Sequence, residues 1–234
     1  MNNSDDERIL LAGPPLLEVQ VRRSARARRL ALKVSRLDGT VTLTLPPRAS
    51  MRVARAFLAD RATWLRDAVQ GMQGPVSVQP GTKIPVQGAL LTLTPAPGRA
   101  ARIDGTALLV PQGRPVAGAL AYLKALARER LADRVDNHAR AIGRRPGKLT
   151  LRDTRSRWGS CTPSGDLMFS WRLIMAPPPI LDYVAAHEVA HLLQMNHSPA
   201  FWAEVDRLYP DHAAARRWLK SEGAGLHHFR FADA

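Results

Sequence analysis

Apolar and polar residues alternate from Leu16 onward. Leu17, Val19 and Val21 mark one strand, Leu30, Leu32 and Val34 a second, and Val41, Leu43 and Leu45 a third that ends at Pro46-Pro47. Asp38-Gly39 is a turn signal before the third strand. The period changes at Ser50. Val53, Phe57, Trp64, Leu65 and Ala68 recur at helical spacing, which predicts one helix over 50–70 with Ser50 as its cap and Trp64 in the core, ended by Gly71 to Pro75. Short apolar runs at Ile84–Val86, Leu90–Leu93, Ala101–Ile103 and Leu108–Val110, separated by Gly88, Pro95-Ala96-Pro97-Gly98 and Asp104-Gly105, read as a small antiparallel meander. Pro115–Ile142 is a long amphipathic helix with Leu120, Leu123, Leu126, Leu131 and Val135 on its apolar side, and His138 reads as a structural residue on it.

The next segment predicts a hairpin. Leu149–Leu151 is a strand, a loop of small polar residues, arginines and Trp158 follows, Ser164-Gly165 turns the chain, and Asp166–Leu173 returns. Pro177-Pro178-Pro179 stops that strand and opens a helix with an apolar body of Ile180, Leu181, Val184, Leu192 and Leu193, with Asp182 near its positive end. Pro199–Leu208 is a further helix with Phe201, Trp202, Val205 and Leu208 as its stripe. Pro210-Asp211 breaks it, and Asp211 caps a last helix to about Glu222. The chain therefore divides into a disordered leader (1–15), a β-rich region with one helix (16–112), a region of helices and a hairpin (113–223), and a basic tail (224–234) in which His227 and His228 are solvated. The fold class is α+β.

At 234 residues with 45% hydrophobic content, the chain is long enough for one large domain or two small ones. No apolar run reaches ~18 residues, so no membrane span is expected. The acidic, polar start lacks a signal pattern, and a single cysteine, Cys161, precludes an internal disulfide and suits a reducing cytoplasm. A net charge of +14 points to polyanions, nucleic acid or nucleotide among them. Only five of the 34 basic residues are lysine, however, and an arginine excess of that kind also follows from GC-rich coding. The arginines at 22, 23, 26, 28 and 29 read as a solvated strand edge that discourages pairing, with an anion-binding lip as the sharper alternative.

Chemistry enters at His187-Glu188-Val189-Ala190-His191. Two histidines four apart on a helix are separated by roughly 6 Å of rise and nearly a full turn, so both imidazoles leave one face. Glu188 falls on the same side and can take a proton from a water activated by a metal without ligating the ion. Catalytic zinc takes three protein ligands, and His197, six residues after His191, has the spacing of the metzincin pattern. That pattern has a glycine where Gln194 stands, so Asn196, in a left-handed conformation, is expected to make the turn. Ser198-Pro199 then restarts a helix. Glu204 or Asp206, on the following helix, is the alternative third ligand. In the hairpin loop, Arg155 or Arg157 can face a developing oxyanion and Trp158 the substrate. The plainer reading is that Trp158 packs the hairpin and Arg157 is solvated.

Three blocks together are more specific than the histidine motif. Arg155-Ser156-Arg157-Trp158-Gly159-Ser160-Cys161, then Asp182 to His191, then Asn196-His197-Ser198-Pro199-Ala200-Phe201-Trp202 resemble the YgjP-like metallopeptidase family, which is similar to the SprT-type zincins. The resemblance spans roughly Leu17 to Glu222. It implies a zincin-like core in the C-terminal half, one zinc ion (or another divalent metal) on His187, His191 and His197, and Glu188 as general base. It implies no particular substrate. Metal-assisted hydrolysis of a peptide is the reading these residues favour, because a strand beside the metal helix suits an extended chain. Hydrolysis of a nucleotide phosphoanhydride or another small molecule at the same site, and a basic nucleic-acid-associated module with structural zinc, are the rivals.

Overall fold

The computed structural model describes residues 7–35, 39–70 and 75–231. The expected break at Gly71–Gly74, the Asp38 half of the turn and the first six leader residues lie outside them. The chain forms two compact units that divide between Pro75 and Val76. Residues 76–112, which alternation alone groups with the N-terminal strands, share one hydrophobic core with the C-terminal half.

In the first unit, β1 (Glu7–Leu11), β2 (Leu17–Arg23), β3 (Ala31–Val34) and β4 (Val41–Leu45) form a sheet in the order β1–β2–β4–β3. β1 lies in the stretch read as a leader; its Ile9 is buried with Val19, Val21, Leu43 and Leu45. The helical stretch is two helices, α1 (Met51–Asp60) and α2 (Ala62–Gln70), joined at Arg61. Ser50 caps the first by accepting the Val53 N–H. Trp64 is 51% exposed rather than core, because Leu58 and Leu65 fill the face that meets the sheet.

The second unit opens with β5 (Val76–Ser77), then β6 (Lys83–Val86), β7 (Ala89–Ala96), β8 (Arg102–Asp104) and β9 (Ala107–Pro111). Their order, β6–β7–β9–β8, is not a meander: β7 and β9 run parallel and the β8–β9 hairpin is folded in beside β7. Alternation fixes which side chains face the core but carries no information about which strand is the neighbour, so it cannot distinguish the two topologies. A two-residue turn joins β6 to β7 with both Gln87 and Gly88 left-handed, the geometry that matches strand twist in a tight hairpin.

α3 (Pro115–Ala141) buries Ala119, Leu123, Leu126, Ala127, Leu131, Val135 and Ala139. β10 (Leu149–Arg152), β11 (Gly159–Cys161) and β12 (Leu167–Ser170) follow, then a 3-10 turn (Trp171–Met175), α4 (Pro178–Ala190), α5 (Pro199–Leu208), α6 (His212–Ser221) and β13 (Phe229–Arg230). The two strands expected to form a hairpin, β10 and β12, lie side by side but parallel; the antiparallel partner of β12 is β11, from within the loop. The return strand stops at Ser170 because Trp171–Met175 winds into the buried 3-10 turn. The same winding, a strand followed by a hairpin whose second arm inserts alongside it in parallel, occurs in all three larger sheets.

α4 is the central element. Nine of its residues, from Ile180 to Ala190, are buried, so beyond Pro179 it presents no exposed residue, and polar side chains on it need partners supplied by the fold. His138 on α3 meets one of these needs by a 2.7 Å hydrogen bond with Asp182, the structural role expected of it. The tail is not a solvated appendage. β13 pairs with β5, Leu226 is buried, and Asp211 flanks α6 without a side-chain capping bond. Among the described residues no helix is long and apolar enough to cross a membrane.

Candidate metal centre

α4 ends one residue before His191, which occupies its C-cap. The chain leaves the helix by tightening. Leu192 N–H reaches Val189 C=O, and Leu193 and Gln194 N–H both reach Ala190 C=O. No left-handed residue is used, contrary to the role expected of Asn196. The 3-10 bonds satisfy the last carbonyls instead. Asn196 works through its side chain: Oδ1 accepts the Ser198 N–H at 3.3 Å, and Ser198 Oγ in turn caps α5 by accepting the Phe201 N–H.

This corner returns His197 to the helix. One nitrogen from each of His187, His191 and His197 lies within 4.8 Å of the others, and the Nε2 atoms of His187 and His197 are 3.2 Å apart. Two imidazoles on one tetrahedral ion at ~2.05 Å would have nitrogens about 3.3 Å apart. The arrangement of the other nitrogens agrees. His191 Nδ1 donates to the Gln194 carbonyl at 2.9 Å, so its Nε2 is the lone-pair nitrogen. His187 Nδ1 lies 3.5 Å from the Tyr183 hydroxyl, which burial keeps protonated by raising its pKa to about 12. Burial, then the neighbouring His191 and His197, push the His187 pKa down to about 3, and burial lowers that of His191. Both rings are therefore neutral, the form that binds a cation. Phe201 stacks on His191 with centroids 4.4 Å apart and presents its edge to the other two, which closes the back of the cluster with apolar surface. The three rings fit a divalent metal. Glu204 and Asp206, the alternative third ligands, are turned elsewhere: Glu204 accepts Arg207 at 2.6 and 3.0 Å, and Asp206 lies 3.7 Å from His212.

Glu188 is 5% exposed and lines the same cavity, about 480 Å³, as the three histidines, Ser156, Arg157, Ser160 and Cys161. Burial raises its pKa to about 8, opposed in part by Arg157. A Cβ on Gly159 would lie 2.5 Å from Glu188 Oε1 and 2.6 Å from its Cγ, so the glycine is what allows β11 to pass over the carboxylate. The sequence motif contains this glycine but does not reveal what it meets. Of the loop residues singled out from sequence, Arg157 lines the cavity. Trp158 packs against His227, with centroids 5.2 Å apart, and against Gly223, and Arg155 lies outside the lining.

The loop is held from behind by a residue with no sequence signal. Arg172 donates from Nε and Nη2 to the two carboxylate oxygens of Asp153 at 2.6 and 3.1 Å, and from Nη1 to the carbonyls of Leu226 and Phe229 at 2.9 and 3.0 Å. One buried guanidinium thus ties the loop to the tail. Burial would raise the Asp153 pKa, but the hydrogen bonds and charge of Arg172 outweigh it and hold the group below the ordinary carboxylate range.

His227, covered by Trp158 and facing Arg172, has its pKa lowered to about 4, first by burial and then by that charge. The unfolded chain binds this proton at about 6.5 and the folded chain only near 4, so stability is lost as pH falls through that window. His227→Gln removes the linkage. The difference in unfolding free energy between wild type and variant, followed by urea titration from pH 7 to pH 4, is expected to shift by on the order of 1 kcal/mol, since the ring keeps solvent contact that screens the effect. A difference that stays flat across the window would count against this assignment.

A mixed α+β fold that gathers three imidazoles and a buried carboxylate at the end of a central helix defines a metal-dependent hydrolase of the metallopeptidase kind. The chain belongs to the YgjP-like metallopeptidase domain family, whose model matches residues 28–222. Among solved structures it is similar to the crystal structure of the metallopeptidase zymogen of Pyrococcus abyssi abylysin, at 22% identity over 39% of this chain and 95% of that one, with a TM-score of 0.36. No curated protein matches the chain.

Proposed function

We propose that this chain is a zinc peptidase in which His187, His191 and His197 hold the ion and Glu188 is the general base. The observation that carries the reading is the convergence of three imidazole nitrogens within 4.8 Å beside a buried carboxylate that shares their cavity. Three imidazole nitrogen donors suit zinc, although nickel or manganese can occupy such a set according to availability. When bound, the ion supplies Lewis-acid polarisation of the scissile carbonyl and lowers the pKa of a water toward ~7. Glu188, seated beneath Gly159 and lining the same cavity, would accept the water proton and return it to the leaving amine. Arg157 is the nearby cation that keeps the ionised carboxylate accessible, and it can also face the oxyanion.

The substrate lies along β11. Ser170 N–H bonds to Trp158 C=O and Thr162 N–H to Asp166 C=O, so by alternation Trp158, Ser160 and Thr162 turn their backbone groups toward β12. Gly159 and Cys161 turn theirs to the open edge, beside the metal cluster. An extended peptide can add there as a fourth strand.

Metal content by mass spectrometry tests the centre. About one zinc per chain is expected in wild type, and a loss of most of it in His191→Ala. Wild type that takes up no zinc when it is supplied would defeat the proposal.

A further inference from the structure

The sheet made by β10, β12 and β11 has two unlike faces. Leu149, Leu151, Leu167 and Phe169 face the core. The opposite face is an open trough of about 490 Å³, lined by Thr150 and Arg152 from β10 with Lys148 just before it, Met168 from β12, and Ser160 from β11 with Thr162 just after it, with Arg157 at its end. Register makes this face continuous, since Thr150 pairs with Met168 and Met168 with Ser160. The trough and the metal cavity share Ser156, Arg157 and Ser160, so one runs into the other around the edge of β11. Lys148, Arg152 and Arg157 are exposed, and among the described residues none forms an ion pair. Asp166 is the one acidic lining residue, and its Oδ1 already accepts the Lys148 backbone N–H at 2.7 Å.

We infer that this trough selects acidic side chains of the peptide substrate, an inference that rests on the peptidase reading above. A strand added to the β11 edge sends alternate side chains to the two faces of the sheet. Those on the same side as Ser160 stand at the β11 rim of the trough, beside Arg157 and the Ser160 hydroxyl, and a long acidic side chain laid across Met168 points toward Lys148 and Arg152 on the far side. Carboxylates meet that chemistry directly, and a guanidinium can bind one with two hydrogen bonds. A single-stranded nucleic acid would also need aromatic faces for its bases, and the trough has no aromatic residue in its lining.

Two arms test it on the full, zinc-supplemented chain. In the first, kcat/KM is measured for matched quenched peptides carrying Glu, Ala or Lys at alternate positions around the scissile bond, in wild type and in the Lys148→Glu, Arg152→Glu double variant. Wild type is expected to prefer the Glu over the Lys peptide, and the double variant to reduce that ratio about tenfold. An unchanged ratio with active enzyme overturns the inference and leaves the peptidase reading intact. If no peptide is cleaved, the peptidase reading fails, and the second arm still decides the trough. In that arm, fluorescence anisotropy follows a labelled oligoglutamate and an oligolysine peptide on Glu188→Gln protein. Tighter, salt-sensitive binding of oligoglutamate, weakened by the double reversal, supports the acidic specificity. Equal binding of both peptides, or binding of inorganic tripolyphosphate with none of oligoglutamate, overturns it.

Discussion

Glu188→Gln is expected to lower kcat for peptide hydrolysis by about a thousandfold, the range associated with loss of a general acid–base group. The amide has the same size and fits beneath Gly159, but it cannot take the water proton. The carboxylate does not belong to the three-nitrogen cluster, so zinc content should stay near one per chain. Stability should not fall, because burial disfavours the charged form of Glu188 and glutamine carries no charge. Steady-state kinetics, metal analysis and a melting curve on one preparation separate the possibilities. If activity falls together with zinc content, Glu188 is supporting the metal. If activity survives, the base lies elsewhere.

Gly159→Ala tests the same step from the opposite strand. The new methyl would enter the space held by Glu188 Oε1 and Cγ, and the side chain, buried on α4, must shift to admit it. A displacement of about 1 Å at a reacting group can cost about a hundredfold in rate, and overpacking of this kind costs about 1–3 kcal/mol. A hundredfold loss of kcat with zinc retained and a modestly lower Tm is therefore expected. Full activity would show that the carboxylate is not seated against β11 during the reaction.

These two residues differ in how far the sequence announces them. Glu188 is legible because a helix places neighbours in a known relation: once Pro178 to Ala190 is helical, His187, Glu188 and His191 must share a side. His197 is legible for a similar local reason, since only a short corner with Ser198 as cap separates it from the helix. The route around that corner was less accessible. Asn196 was expected to turn the chain in a left-handed conformation, and its side chain does the work instead. Gly159, in contrast, lies 29 residues before Glu188 in the chain, and only strand packing brings it over the carboxylate. Arg172 and Asp153 give no local signal at all. An arginine in an apolar run is remarkable only once Leu226 and Phe229 are known to cover it.

By itself the sequence determined the α+β class, the positions of most elements, the spacing that gathers three histidines at α4 and its corner, and the family. The class, the element positions and the histidine spacing follow from periodicity, capping residues and spacings of a few residues, where backbone geometry leaves few choices, and the family follows from the resemblance of three residue blocks. Only the tertiary structure decided which strands are neighbours, and that the chain divides near Pro75. It also decided that the tail is woven into the second unit, and that β11 rather than a long hairpin borders the metal cavity. Those outcomes depend on contacts between residues far apart in sequence. They are selected by how complementary faces bury one another, and the alternation of a strand is the same whichever neighbour it takes.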